Sequence, residues 1–237
     1  MMASLIVAGV RAELKKQADK KTRESAQRFF KEEIKFYGVK SALVKKITGA
    51  FFQQARNLDK KQIFVLCEEL FASDYSEEAF IAAEWAFRLE KKYAPEDFRL
   101  FARWVKKYIN NWAKCDTFCN HAVGTLVEKY PVLLPELNRW AKSRNRWVRR
   151  AAAVTLILPA RRGKFLKEVF GIADILLEDQ DDLVQKGYGW LLKEASRQHE
   201  PEVFAYLMKY KKTIPRTAFR YALEKMSPRL KKLAMAK

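Results

Sequence analysis

Apolar residues recur at spacings of three and four along almost the whole chain, the period of a helix with one buried face. Phe80, Ala83, Ala86 and Phe87, with Trp85 beside them, form one such face. Cys119, Val123 and Leu126 form a second, and Val184, Tyr188, Leu191 and Leu192 a third. The alternating β-branched runs of strands are missing. Breaks at Asp74-Tyr75-Ser76, Ala94-Pro95-Glu96-Asp97, Tyr130-Pro131 and His199-Glu200-Pro201 predict helix starts. Ser76 followed by Glu78, Asp97, and a proline in a first turn all suit a helix N-terminus. Met1 to Val10 is mildly apolar but too short and poorly charged for a signal peptide, and reads as the start of the first helix. The pattern predicts roughly twelve to fourteen helices of about ten to sixteen residues, with connections short enough to make neighbours antiparallel.

The helices also repeat. Trp147 to Val154 aligns with Leu183 to Trp190, and Arg216 to Leu223 continues the series with Arg220 in the place of Lys186. A basic residue followed by small ones suits the inner helix of a helix pair, because small side chains let neighbouring pairs approach. Such periods predict an all-α fold: a right-handed superhelical α-solenoid of HEAT-like helix pairs with a concave basic groove. Residues 1–237 are expected to form a single domain of about six repeats. Arg144, Arg146, Arg149, Arg150, Arg161, Arg162, Lys186, Arg197, Arg216 and Arg220 fall at starts or inner faces of successive helices. Stacked, they would align a basic stripe wide enough for a duplex. The paired lysines elsewhere, such as Lys15-Lys16 and Lys231-Lys232, read as solvated charge.

Composition sharpens this. Lys and Arg number 47 against 28 Asp and Glu, a net charge of +19. Such an excess attracts a polyanion with salt-sensitive affinity. A membrane surface is a poor candidate, since neither a lipidation motif nor a long apolar span is present. Three cysteines without regular spacing fit reduced thiols in a cytoplasmic, nucleoid-associated protein. Cys115 and Cys119 stand near His121, but a partner pair is missing, so no metal site is expected. No cofactor is expected either: a phosphate-binding Gly-rich loop and a Ser-His-Asp arrangement are both absent.

Against this cationic background, Trp112 and Asp116 place an aromatic plate and a carboxylate one helical turn apart. An anion beside a nucleic-acid groove weakens binding, so it is either a local structural device or part of the chemistry. Hydrolysis of the N-glycosidic bond of an alkylated purine needs only such parts. The departing base is already cationic, and the sugar gains oxocarbenium character. Asp116 would stabilise that sugar and orient a water. Trp112 and Trp190 would supply electron-rich ring faces, and Arg150 would hold a phosphate. The structural alternatives are a helix cap at Asp116 before Thr117-Phe118 and two core tryptophans.

Phe36-Tyr37-Gly38-Val39, Trp112 with Asp116, Asn145 to Ala152, and Val184 to Trp190 occur in that order. Over roughly residues 20 to 225 the chain thereby resembles the alkylpurine DNA glycosylases built from HEAT-like repeats, the AlkD type. The resemblance places the family's catalytic carboxylate on Asp116, its tryptophans on Trp112 and Trp190, and its phosphate-contacting arginine on Arg150. It implies excision of 3-methyladenine and 7-methylguanine from duplex DNA without inserting the damaged base into a tight pocket, unlike the usual flipping enzymes. Phe29 stands where the family often has tyrosine, and Asn111 where a second tryptophan is common, a change expected to affect packing more than chemistry. With no lysine in the carboxylate's place, a monofunctional hydrolase is expected, without a Schiff-base lyase step. The DNA contacts expected are Arg150, Phe29, Arg149, Lys186, Arg146 and Arg220. The partner is then duplex DNA with alkylated bases, and the protein a monomer. Two other readings stand beside this one. They are a non-catalytic HEAT-repeat protein binding distorted or branched DNA, and a scaffold for an acidic protein.

Overall fold

The computed structural model describes residues 2–236, and the side chains from residue 5. Among them every regular element is helical and no strand occurs. The chain divides into two compact units, Met1–Phe118 and Cys119–Lys237.

The first unit holds α1 (Met2–Lys16), α2 (Lys20–Gln27), α3 (Ser41–Gln54), α4 (Lys60–Ala72), α5 (Ser76–Arg88), α6 (Asp97–Tyr108) and α7 (Trp112–Phe118). α5 packs on α3, α4 and α7, and α1 on α3 and α4. An aromatic cluster fills the middle. The Phe118 ring meets those of Phe71 and Phe101 at 5.3 and 5.2 Å, and Trp104 lies fully buried beside them.

The second unit opens with a π-helical turn, Cys119–Val123, followed by α8 (Gly124–Lys129) and α9 (Leu134–Ala141). It continues with α10 (Arg146–Thr155), α11 (Ile157–Arg161), α12 (Leu166–Ile175), α13 (Asp182–Ala195), α14 (Glu200–Lys209), α15 (Arg216–Leu223) and α16 (Pro228–Met235). The three helices aligned by their sequence repeat, α10, α13 and α15, pack in series. Small residues make that packing close. A Cβ added at Gly189 would lie 2.8 Å from the Ala218 carbonyl oxygen and 2.8 Å from Tyr221 Cβ. Gly189→Ala is therefore expected to destabilise the second unit by about 1–3 kcal/mol, an overpacking cost readable in a urea melt.

Side-chain bonds restate the period. Arg146 reaches Asp181, 35 residues on; Arg162 reaches Glu128, 34 back; and Tyr206 donates to Asp174, 32 back. In the first unit Lys60 pairs with Asp97, 37 on, and Arg103 with Glu68, 35 back. Each joins equivalent points of adjacent helix pairs, as expected where every pair buries the face its neighbour exposes.

Among the described residues, sixteen α-helical segments exceed the twelve to fourteen read from periodicity. Part of the surplus comes from breaks that period alone does not show. Pro159 has no N–H to offer the Thr155 carbonyl, which ends α10 and starts α11. The π-helical turn separates α7 from α8. The predicted starts at Ser76 and Asp97 hold, but their cap chemistry differs. Tyr75 precedes α5 without a side-chain cap, and Asp97 Oδ2 accepts the Ala94 N–H at 2.8 Å.

Candidate functional site

α7 carries the two residues singled out by the sequence. With seven residues it is too short to be stable by propensity alone, so its contacts decide its position. Asn111 begins it: Oδ1 accepts the Lys114 N–H at 2.9 Å, and the Asn111 carbonyl accepts the Cys115 N–H at 3.1 Å. The departure from tryptophan at this position supplies a helix cap. Asp116 lies inside α7 and is half-buried, so it is not the cap. Four residues apart, Trp112 and Asp116 share a helix face.

The Trp112 indole is oriented from both edge and face. Its N–H donates to the Phe29 carbonyl at 3.4 Å, and its ring stacks on Phe30 at 5.1 Å with 17° between planes. Phe36 packs on the other ring, 5.6 Å from Phe30. These rings, with Phe80 and Val44, line an open apolar cavity of about 560 Å³, with Lys40 and Lys45 also contributing to its wall. The Phe29 side chain itself is 73% exposed. It sits beside Arg28 and Lys31, which are also exposed.

The segment that brings Phe29 and Phe30 to Trp112 is held by two acids whose burial and partners sequence reading did not show. Glu77 is 3% exposed. Its Oε1 accepts the N–H groups of Gly38 and Val39 at 2.9 and 3.1 Å, and its Oε2 that of Tyr37 at 3.2 Å. Glu78, fully buried, accepts the Tyr37 hydroxyl at 2.7 Å and pairs with Arg11 Nε at 3.1 Å. Burial and the Glu78 carboxylate push the Tyr37 phenol upward, which keeps it a donor. Gly38 has φ of 88°, and a Cβ there would lie 2.3 Å from the Asp19 carbonyl oxygen. That conformation and crowding explain why Tyr37-Gly38-Val39 is a recognisable motif.

The remaining candidates lie in the second unit. Arg146 binds Asp181 through two nitrogens, at 2.6 and 3.1 Å, and Arg149 binds Asp179 in the same way, at 2.6 and 3.2 Å. Arg149 also donates to the Ser143 and Arg144 carbonyls. Asp181 is itself the cap of α13, accepting the N–H groups of Leu183 and Val184. Arg150 is 5% exposed and donates to the Leu183 carbonyl. Lys186 pairs with Asp182 at 3.3 Å, and Trp190, further along α13, is half-buried. Arg220 is exposed on α15 beside Arg216, Thr217 and Tyr221. Among the described residues no group of acidic, His and Cys side chains could hold a metal. Cys67, Cys115 and Cys119 are all buried. No described helix is long and apolar enough to cross a membrane.

A family model of DNA alkylation repair enzymes matches residues 10–226. The chain belongs to this family. Solved structures agree in fold. A predicted DNA alkylation repair enzyme from Enterococcus faecalis superposes with a TM-score of 0.79 at 17% identity, covering 90% of this chain and 98% of its own. The smu.31 protein of Streptococcus mutans UA159 gives 0.59 at 24% identity, covering 78% and 98%. The alkylpurine DNA glycosylase AlkC of Pseudomonas fluorescens, bound to DNA containing an abasic-site analogue, gives 0.51 at 18% identity, covering 94% and 61%. No curated protein matches the chain. Membership of the DNA alkylation repair family accords with the excess of positive charge, since DNA is a polyanion.

Proposed function

We propose that the protein is a monofunctional DNA glycosylase that hydrolyses the N-glycosidic bond of cationic alkylated purines, 3-methyladenine and 7-methylguanine, in duplex DNA. The observation that carries this reading is the placement of Asp116 one turn from a tryptophan whose ring is fixed by Phe29 and Phe30. Water attacks C1′ as the C1′–N bond breaks. The electron pair of that bond leaves with the base and neutralises its charge. The carboxylate of Asp116 stabilises the positive sugar and orients the water, whose proton it accepts or passes to solvent. Trp112, one turn from Asp116, offers a ring face to that positive charge. An unmodified base lacks the charge that makes it leave, so selectivity follows from lability as much as shape. The partner is duplex DNA, bound by one copy of the chain in the cytoplasm.

The phosphate contacts divide by how each cation is engaged. Arg220, exposed on α15, and Lys186 make backbone contacts. Arg150 makes the contact implied by the resemblance, with the Leu183 carbonyl orienting its guanidinium. Phe29 presents its ring to the duplex and retains the aromatic contact of the family's tyrosine without the hydroxyl. Arg146 and Arg149, each clasped by an aspartate, brace α10 against the start of α13 and contribute to binding through that bracing. Two variants separate these roles. Arg220→Gln is expected to lower the slope of log affinity against log salt by about one unit while leaving the urea midpoint unchanged. Arg149→Gln is expected to cost about 1–3 kcal/mol of stability, since it abandons the half-buried Asp179.

The defining experiment is product analysis on alkylated duplex DNA, in which free methylated purine and an abasic strand appear together. Salt-dependent binding with no base released would instead mark a protein that recognises distorted DNA without excising anything.

A further inference from the structure

Lys114 is the one lysine of α7 and is 1% exposed, whereas the other lysines among the described residues are solvated or half-buried. Its ammonium has three donors and three acceptors around it. Asp74 Oδ1 lies at 2.7 Å, the Asp74 carbonyl at 2.8 Å and Asn110 Oδ1 at 3.0 Å. Asn110 in turn donates its amide to Asp74 Oδ1 at 2.6 Å. Asp74 follows the end of α4 with φ of 68°, a conformation that favours glycine. An aspartate there accepts backbone strain in return for a carboxylate. Burial draws the Lys114 ammonium downward, opposed by the Asp74 hydrogen bond and charge. For Asp74, burial pushes the carboxyl up, but the bonds from Lys114 and Asn110 and the charges of Lys114 and Lys35 outweigh it, leaving the group below its ordinary value.

We propose that Lys114 and Asp74 form a positioning clamp for Asp116, holding α7 to the α4–α5 turn so that the carboxylate two residues away keeps its reactive placement. The proposal rests on the glycosylase reading for its catalytic consequence. Three features carry it. α7 is too short to hold itself. Its core anchors, Cys115 and Phe118, hold the helix by apolar burial, whereas Lys114 ties it by directed bonds to Asp74, which follows the end of α4. All three protons of the Lys114 ammonium have an acceptor on Asp74 or Asn110, which fixes the direction of the tie. The clamp is a positioning device and touches no substrate.

Lys114→Met tests it. Methionine fills the same volume without a charge, and Asp74, left with Asn110 and Lys35, is open enough to be solvated. The fold should therefore persist. The lost lysine is buried, so DNA affinity and its salt slope should stay within twofold of the parent, unlike the loss of a surface lysine. Excision in single turnover should fall about ten- to hundredfold, the penalty of a carboxylate displaced by an ångström. Amide hydrogen exchange across residues 112–118 should speed up. Excision at the parental rate, or unchanged exchange in that stretch, would overturn the clamp. If the parent chain releases no base at all, the glycosylase reading falls, while exchange in 112–118 still decides whether Lys114 holds α7.

Discussion

Asp116→Asn is expected to reduce release of methylated purine by about 10²–10³-fold, the range seen when one preorganised electrostatic group is removed from an active site. The substitution is nearly isosteric and keeps the helix face, so the loss isolates charge from shape. An amide can still hold a water but neither stabilises a positive sugar nor takes a proton. DNA binding should be retained or slightly tightened, because one anion leaves a +19 chain. The check is single-turnover excision from alkylated duplex alongside binding to an abasic product. An Asp116→Asn variant that excises at the parental rate removes the proposed mechanism, whatever its affinity for DNA.

The second large effect concerns stability. Glu77→Ala is expected to destabilise the first unit by about 3–5 kcal/mol, since three backbone donors lose a buried carboxylate together. That is a large share of the stability of an ordinary domain. The lost contacts belong to Tyr37, Gly38 and Val39, which lie close behind Phe29, Phe30 and Phe36 in the chain. Trp112 should therefore lose its stacked partner before the unit unfolds. Urea titration followed by tryptophan fluorescence reads both: an early change of Trp112 environment, then a lowered global midpoint. Coincidence of the variant's midpoint with the parent's would mean that Glu77 does not hold this segment.

These two residues differ in how visible they are to sequence reading. Asp116 stands out because it is an anion one turn from a tryptophan in a basic chain, a local relation that helix period makes plain. Trp112 and Phe29 are visible for similar reasons, as aromatic residues at positions that resemble the family's own. Glu77 and Glu78 look like ordinary first-turn acids of α5, where a helix N-terminus favours negative charge. Nothing local distinguishes them from solvated glutamates, because their partners lie about forty residues earlier. Lys114 is masked in the same way among many surface lysines. Arg146 and Arg149 illustrate the converse: a basic stripe reads as a phosphate surface, yet Asp181 and Asp179 engage both guanidinium groups.

The amino-acid sequence alone determined the helical class, the period of the helix pairs and the small residues that let α10, α13 and α15 stack. These follow from interactions within one turn or one repeat, where spacing dictates which side chains meet. Tertiary structure alone decided which charges are buried. Only packing brought Glu77 to three backbone amides, Lys114 to Asp74, and the Trp112 ring to Phe30. A charged group's fate depends on whether a distant partner arrives to replace its water, and spacing along the chain carries no record of that arrival.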